Sequence, residues 1–176
     1  MDRGTYVELD GRPAVRFQRT YPHSVGRLWA AVTEPDELSH WFPSGVRIQQ
    51  QAGGTVEFSG DPHLEDSTGR ILVFDPPRRL AYTWGDDELR FELEPAGDGS
   101  CTLTLINVLE ARNTAARNAA GWTVCLDELD KHLSGELSDG PHSEANTESG
   151  QRYYDAYLAD GMPSGAEIPV AQDRST

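Results

Sequence analysis

Residues 14 to 21, AVRFQRTY, alternate in a period of two, which puts Val15, Phe17, Arg19 and Tyr21 on one side of a strand. Pro22 ends it. Ser24 is placed to cap a short helix, VGRLWAAV, whose Val25, Leu28, Trp29 and Val32 share one face. The stretch TEPDELSHWF begins a second short helix, with Thr33 as cap, Pro35 in the first turn, and Leu38, Trp41 and Phe42 as its apolar side. Period-two runs then follow one another: VRIQQQ and TVEFS around Gly53-Gly54, GRILVFD and RRLAYTW around Pro76-Pro77, then ELRFELE and CTLTLINVL. Short turns between consecutive strands imply an antiparallel meander.

From about Asn113 the period becomes helical. Ala115, Ala119, Trp122, Cys125, Leu126, Leu129 and Leu133 line one face, and Gly135 closes the helix. Asp127, Glu128, Asp130 and Lys131 fall largely elsewhere and read as a solvated face. Gly121 beside Trp122 is unusual, because a mid-helix glycine costs roughly 1 kcal/mol against alanine. We expect its missing side chain to bring the helix close to the sheet, with Trp122 entering the space between the two. Beyond Gly135, ELSDGPHSEANTESG has the composition of a disordered linker, and Tyr153, Tyr154 and Tyr157 in residues 151–159 form an aromatic docking segment. The expected organisation is an α+β domain over 1–135 and a polar, partly disordered tail over 136–176. Its curved antiparallel sheet of about six or seven strands grips one long helix, with two short helices after strand one. A sheet with one long helix buries its apolar face against that helix, and any space left between them becomes a cavity.

The 176 residues carry a net charge of -14 and no basic stripe. Nucleic acid and anionic membrane surfaces, which both require clustered Lys and Arg, are therefore not expected partners. The amino-terminal MDRGTYVELDG lacks the apolar run of a signal peptide, and no stretch approaches a membrane span, so a cytoplasmic location is expected. Cys101 and Cys125 lie in apolar patterns and read as small hydrophobes.

Three stretches, RTYPHSVGRLWAAVTEPDELSHWFP, DPPRRLAYTW and GWTVCLDELDKHLSG, resemble the domain homologous to the activator of the 90-kDa heat-shock-protein ATPase. That family belongs to the START-like, SRPBCC superfamily with a helix-grip fold. The resemblance covers roughly residues 14 to 135 in order and spacing. It implies a deep, mostly apolar cavity between sheet and long helix. Across the superfamily such cavities take lipids, sterols, polyketides or hormones, a minority catalyse cyclisation or dehydration, and eukaryotic relatives stimulate a chaperone. No catalytic residue set is shared across the family, so none is carried over.

The residues themselves offer little catalytic chemistry. The five histidines, His23, His40, His63, His132 and His142, form no i, i+4 pair and no zinc-ligand spacing with a cysteine. Gly53-Gly54 lacks the lysine of a phosphate-binding loop, and Glu34, Asp36 and Glu37 suit a helix start. No cofactor and no metal are expected. Trp41, Phe42, Phe58, Trp84, Phe91 and Trp122, with Leu126, are the candidate lining of a ligand cavity. Singly each aromatic reads as core packing; as a set in this fold they imply a partly open cavity. Arg19 and Asn107 are the candidate polar groups, because a buried polar side chain needs a partner. Tyr82 and Thr104 are weaker ones.

The leading expectation is a protein that binds a small hydrophobic or amphipathic molecule without catalysis. A protein-interaction module is the second reading. A cyclase- or dehydratase-type enzyme is the third, and it requires Arg19, Tyr82 and Asn107 to converge on one bound atom. The tail either covers the cavity mouth or crosses to a second subunit of a homodimer.

Overall fold

A computed structural model describes residues 3–169 of the chain. Strands β1 (Thr5–Leu9) and β2 (Arg12–Tyr21) form a hairpin, followed by helices α1 (Val25–Thr33) and α2 (Pro35–Leu38). Strands β3 (Gly45–Ile48), β4 (Thr55–Ser59), β5 (Ser67–Asp75), β6 (Arg79–Trp84), β7 (Asp87–Pro95) and β8 (Cys101–Val108) run on as a meander. Helices α3 (Ala115–Ser134) and α4 (Glu144–Ala159) complete the order. The sheet has eight antiparallel strands in the order β1-β2-β8-β7-β6-β5-β4-β3, so the last strand returns to pair with β2 and lies inside the sheet.

The expected six or seven strands become eight because β1 escapes the pattern. Thr5–Leu9 is an edge strand with no fully buried residue, so it shows no core-facing alternation. Its hairpin turns through Asp10 and Gly11, both at positive φ, which matches the twist of paired strands. The start of α2 also shifts by one residue. Glu34 precedes Pro35 as the N-cap, and the Thr33 hydroxyl instead donates to the Trp29 carbonyl at 2.6 Å. Ser24 caps α1 as its sequence position implies, accepting from the Arg27 N–H at 3.1 Å.

The core lies between the sheet and α3. From β2 it takes Val15 and Phe17, from β8 Leu103 and Leu105, and from α3 Ala119, Trp122, Leu126 and Leu129. Cys101 and Cys125 are buried and free. A smaller cluster of Ala14, Ile106 and Val108 covers the opposite face, against Val7 and Leu9.

Two expectations about α3 are overturned. Gly121 is exposed, and a Cβ placed there would meet nothing within 4 Å. The close approach occurs one residue later, at Trp122, and Gly121 points away from it. With helical backbone and open space, Gly121→Ala should stabilise the protein by about 1 kcal/mol, read as a higher midpoint in thermal or urea unfolding. A loss of stability would show that the helix needs the glycine.

The second correction concerns the acidic run and the tail. Glu128 is fully buried, and the segment that follows folds back onto it. Its carboxylate accepts from Lys131 Nζ at 2.8 Å, Ser138 Oγ at 2.6 Å, the Gly140 N–H at 3.1 Å and Asn146 Nδ2 at 2.8 Å. Ser143 then caps α4, accepting from the Asn146 N–H at 3.2 Å. Residues 144–150 are therefore helix where composition suggested disordered linker. A bulk polarity measure misses this, because a few side chains satisfying one buried charge order the whole segment. Tyr157 seals α4 against the domain: its hydroxyl accepts from the Gly4 N–H at 2.9 Å and lies 2.7 Å from Thr123 Oγ1.

Candidate functional site between sheet and helix

The register of the sheet decides which candidates can meet. Tyr82 pairs with Leu89, Leu89 with Asn107, and Asn107 with Val15, so these four form one row across the sheet. Tyr82 and Asn107 are two strands apart, about 10 Å at ordinary strand spacing. Arg19 pairs with Leu103, four residues along β2 from that row, about 13 Å away. The three polar candidates do not converge, and each has a different environment.

Asn107 is fully buried and fully used. Its Nδ2 donates to Asp87 Oδ2 at 2.9 Å, and its Oδ1 accepts from Trp122 Nε1 at 3.1 Å and Asn118 Nδ2 at 3.0 Å. Asp87 Oδ1 also accepts the Glu110 N–H at 2.9 Å. This network ties α3 to β8 and to the start of β7. Asn118 had a readable signal, being four residues before Trp122 on one helix face. Asp87 had none, since it is the first residue of its strand, next to the turn, and lies outside the apolar alternation of Leu89, Phe91 and Leu93.

Arg19 is held by a different pair. Its Nη1 donates to Asp127 Oδ1 at 3.1 Å and Asp130 Oδ2 at 2.8 Å. Asp127 also takes a short hydrogen bond from the Tyr153 hydroxyl. Burial, helped by the Asp127 charge, pushes the Tyr153 phenol up to about 12. Asp127 and Asp130 thus hold Arg19 while Glu128 holds Lys131 and the following segment, and the solvated-face reading fails for Asp127 and Glu128.

Tyr82 is the exception. It is fully buried on β6, and its hydroxyl has no hydrogen-bond partner among the described residues. Burial alone raises its pKa, so the group stays neutral. Aromatic rings surround it: Phe58 and Phe91 each stand 5.8 Å from its ring. The group continues from Phe58 to Phe42 at 6.3 Å, from Phe42 to Trp122 at 5.5 Å, and from Trp122 to Trp84 at 5.2 Å. Trp41 closes it at 6.4 Å from Phe91, its indole N–H donating to the Ala31 carbonyl at 2.9 Å. All six candidate aromatics are brought together, with Leu126 buried one helical turn beyond Trp122 and Trp84 half-buried at the rim. The rings fill the space by packing on one another. Cavities of about 340 Å³ and 380 Å³ lie elsewhere, at the end of β2 and beside β1.

Thr104, on the opposite parity, accepts from Gln18 Nε2 at 3.3 Å on the outer face. Four histidines pair in space, His40 stacked on His132 at 4.2 Å and His63 against His142 at 5.2 Å. Glu37 bridges His132 and Arg27. Burial opposes its ionisation, but hydrogen bonds from His132 and Arg27 outweigh that and hold its carboxyl below the usual range. No group of three or more His, Cys, Asp or Glu among the described residues is arranged to hold a metal ion. No helix there is long and apolar enough to cross a membrane.

A curved antiparallel sheet closed over one long helix, with an aromatic interior, defines a helix-grip protein of the START-like class. Residues 22–134 match the family model described as Activator of Hsp90 ATPase homolog 1-like protein, and the chain belongs to that family. None of the curated proteins matches the sequence. Among solved structures, it is similar to CalU16 from Micromonospora echinospora, 20% identical with a TM-score of 0.69, covering 90% of this chain and 96% of that one. It is also similar to a conserved protein of unknown function, EF2215, from Enterococcus faecalis, 20% identical with a TM-score of 0.71, covering 93% and 92%. A third is the protein encoded by gene BPP1335 of Bordetella parapertussis, 26% identical with a TM-score of 0.64, covering 86% and 90%. These likenesses speak to the fold.

Proposed function

We propose that the protein holds a small hydrophobic or amphipathic molecule between the sheet and α3, without catalysing its conversion. The observation that carries this reading is the Tyr82 hydroxyl, a polar group fully buried among Phe58, Phe91 and their neighbours with no partner among the described residues. Buried polar groups are rarely left so, and an oxygen-bearing apolar molecule lying against these rings would complete it. Such a molecule enters by parting the rings, and Trp84 at the rim is the ring with the least packing to lose. The noncatalytic part rests on Arg19 and Asn107, whose partners hold them in structural networks away from Tyr82.

The test is thermal unfolding with and without a library of neutral hydrophobic compounds, on the natural chain and Tyr82→Phe. The ligand-free variant should be about 1 kcal/mol more stable, because an unpartnered hydroxyl has been removed. It should also lose most of the stabilisation by any ligand that protects the natural chain. If no compound protects the natural chain, or if Tyr82→Phe destabilises the free protein, the reading fails.

A further inference from the structure

The cavity of about 380 Å³ lies between the start of β1 and the chain leaving α4, with Gly4, Tyr6, Arg112, Tyr157, Asp160 and Met162 in its lining. Its walls are fixed. The Gly4 N–H donates to the buried Tyr157 hydroxyl at 2.9 Å, and a Cβ on Gly4 would fall 2.5 Å from the Phe17 ring. On the other side Gly161, at a φ of 82°, turns the chain back after α4. The Met162 N–H then donates to the Tyr157 carbonyl at 3.0 Å, and the Pro163 carbonyl accepts from the Ala116 N–H at 2.9 Å. A hollow held in this way loses little freedom when a ligand enters.

Two charged residues line it. Asp160 is ion-paired to Arg3 at 2.9 Å, whereas Arg112, in the single turn before α3, is exposed and has no ion pair among the described residues. Its guanidinium carbon stands 5.4 Å from the centre of the Tyr6 ring. The Tyr6 hydroxyl donates to Glu8 Oε1 at 3.2 Å, so toward the neighbouring Arg112 it can only accept. A guanidinium carries five N–H donors, and one contact with a phenol oxygen leaves the others to a ligand.

The local charge decides which ligand that is. Arg3 and Asp160 cancel, and Glu8 lies outside the lining, beyond the Tyr6 hydroxyl. Charges farther than about 8 Å are screened at physiological salt, so the hollow presents one positive charge although the whole chain carries -14. One cation matches one carboxylate, which a guanidinium grips through paired N–H bonds. A phosphate dianion would bring a second negative charge close to Asp160 and Glu8. The Tyr6 ring and Met162, both packed on the core, supply apolar wall for the body of the molecule.

We infer that this cavity is a second binding site, which takes a small monocarboxylate with an apolar body, its carboxylate on Arg112 and its body against Tyr6 and Met162. In the sheet it lies four strands away from Tyr82, and neither site's occupancy is needed for the other.

Titration of the full chain at pH 7 with octanoate and its neutral counterpart octanamide, followed by backbone amide signals in NMR, tests it. Octanoate should shift the amides of Gly4, Tyr6, Gly161 and Met162, with an affinity about fivefold above that of octanamide at the same amides. Raising sodium chloride from about 0.05 to about 0.5 M should at least halve that preference. Arg112→Gln should abolish the preference with thermal stability nearly unchanged, and the salt arm carries the test if this variant folds poorly. Arg47→Gln, exposed on β3 at the far edge of the sheet, should keep the preference. Tyr82→Phe should keep it too. The inference is overturned if octanoate shifts only amides elsewhere, if octanamide binds as well at these amides, or if the preference ignores salt or survives Arg112→Gln.

Discussion

Trp122→Ala should destabilise the protein by about 3–5 kcal/mol in urea unfolding, a loss typical of truncating a buried large aromatic. Trp122 is 2% exposed, packs on Phe42 and Trp84, and donates its indole N–H to Asn107. Truncation therefore empties the space between sheet and helix and also removes one of two side-chain donors to the Asn107 carbonyl. Trp122→Phe separates the two effects. It keeps most of the ring, forfeits the hydrogen bond, and should cost far less than the alanine variant. If Trp122→Ala cost less than about 1 kcal/mol, the value of an ordinary hydrogen bond, Trp122 would not be the pillar between α3 and the sheet.

Glu128→Ala should cost about 3–5 kcal/mol, because it removes from a fully buried position the one carboxylate that Lys131, Ser138, Gly140 and Asn146 all donate to. Burial alone would raise the carboxyl's pKa. Hydrogen bonds from Lys131, Ser138 and Asn146 outweigh it and hold the group at about 2, against 4.5 for an ordinary glutamate. Its folded-state pKa is depressed, so its contribution is complete above the unfolded value and is lost as pH falls from 4.5 toward 2. The gap corresponds to about 3 kcal/mol. Denaturation followed across that window should show a steeper acid loss in the natural chain than in Glu128→Gln, which retains the smaller contribution of Glu37. Equal slopes would place the acid sensitivity in other carboxylates. In Glu128→Ala, faster amide exchange of residues 138–146 than of β8 would show that the charge specifically pins the tail.

The parts of the fold that were legible in the sequence are those whose apolar side faces one core. Leu89, Phe91 and Leu93 on β7, and Leu103 and Leu105 on β8, alternate because one face of each strand meets α3. Trp122, Leu126, Leu129 and Leu133 repeat helically because they meet that face from the other side. Where burial is two-sided or absent, the pattern fails. Strand β1 lies at the exposed edge, and α4 docks mainly through Tyr157 and polar bonds, so neither imprints a period. The aromatic members of the site were readable because large rings at inward parity gather wherever a sheet curls over a helix. Their polar companions were harder. Asn107 and Arg19 stood out by parity, but Asp87, Asp127 and Asp130 hold them through contacts across 20 to 111 positions, which no local pattern encodes. Gly121 misled for a related reason: composition marks an unusual residue without marking which way it points.

The central claim is that the aromatic interior receives a molecule that completes Tyr82. A crystal structure of the protein with the compound giving the largest thermal stabilisation tests it most directly. The account predicts density among Phe58, Phe91 and Trp122, with an oxygen of the compound within hydrogen-bond reach of Tyr82 Oη. The same rings packed on one another with the compound bound elsewhere, or an ordered water on Tyr82 Oη in its place, would contradict it.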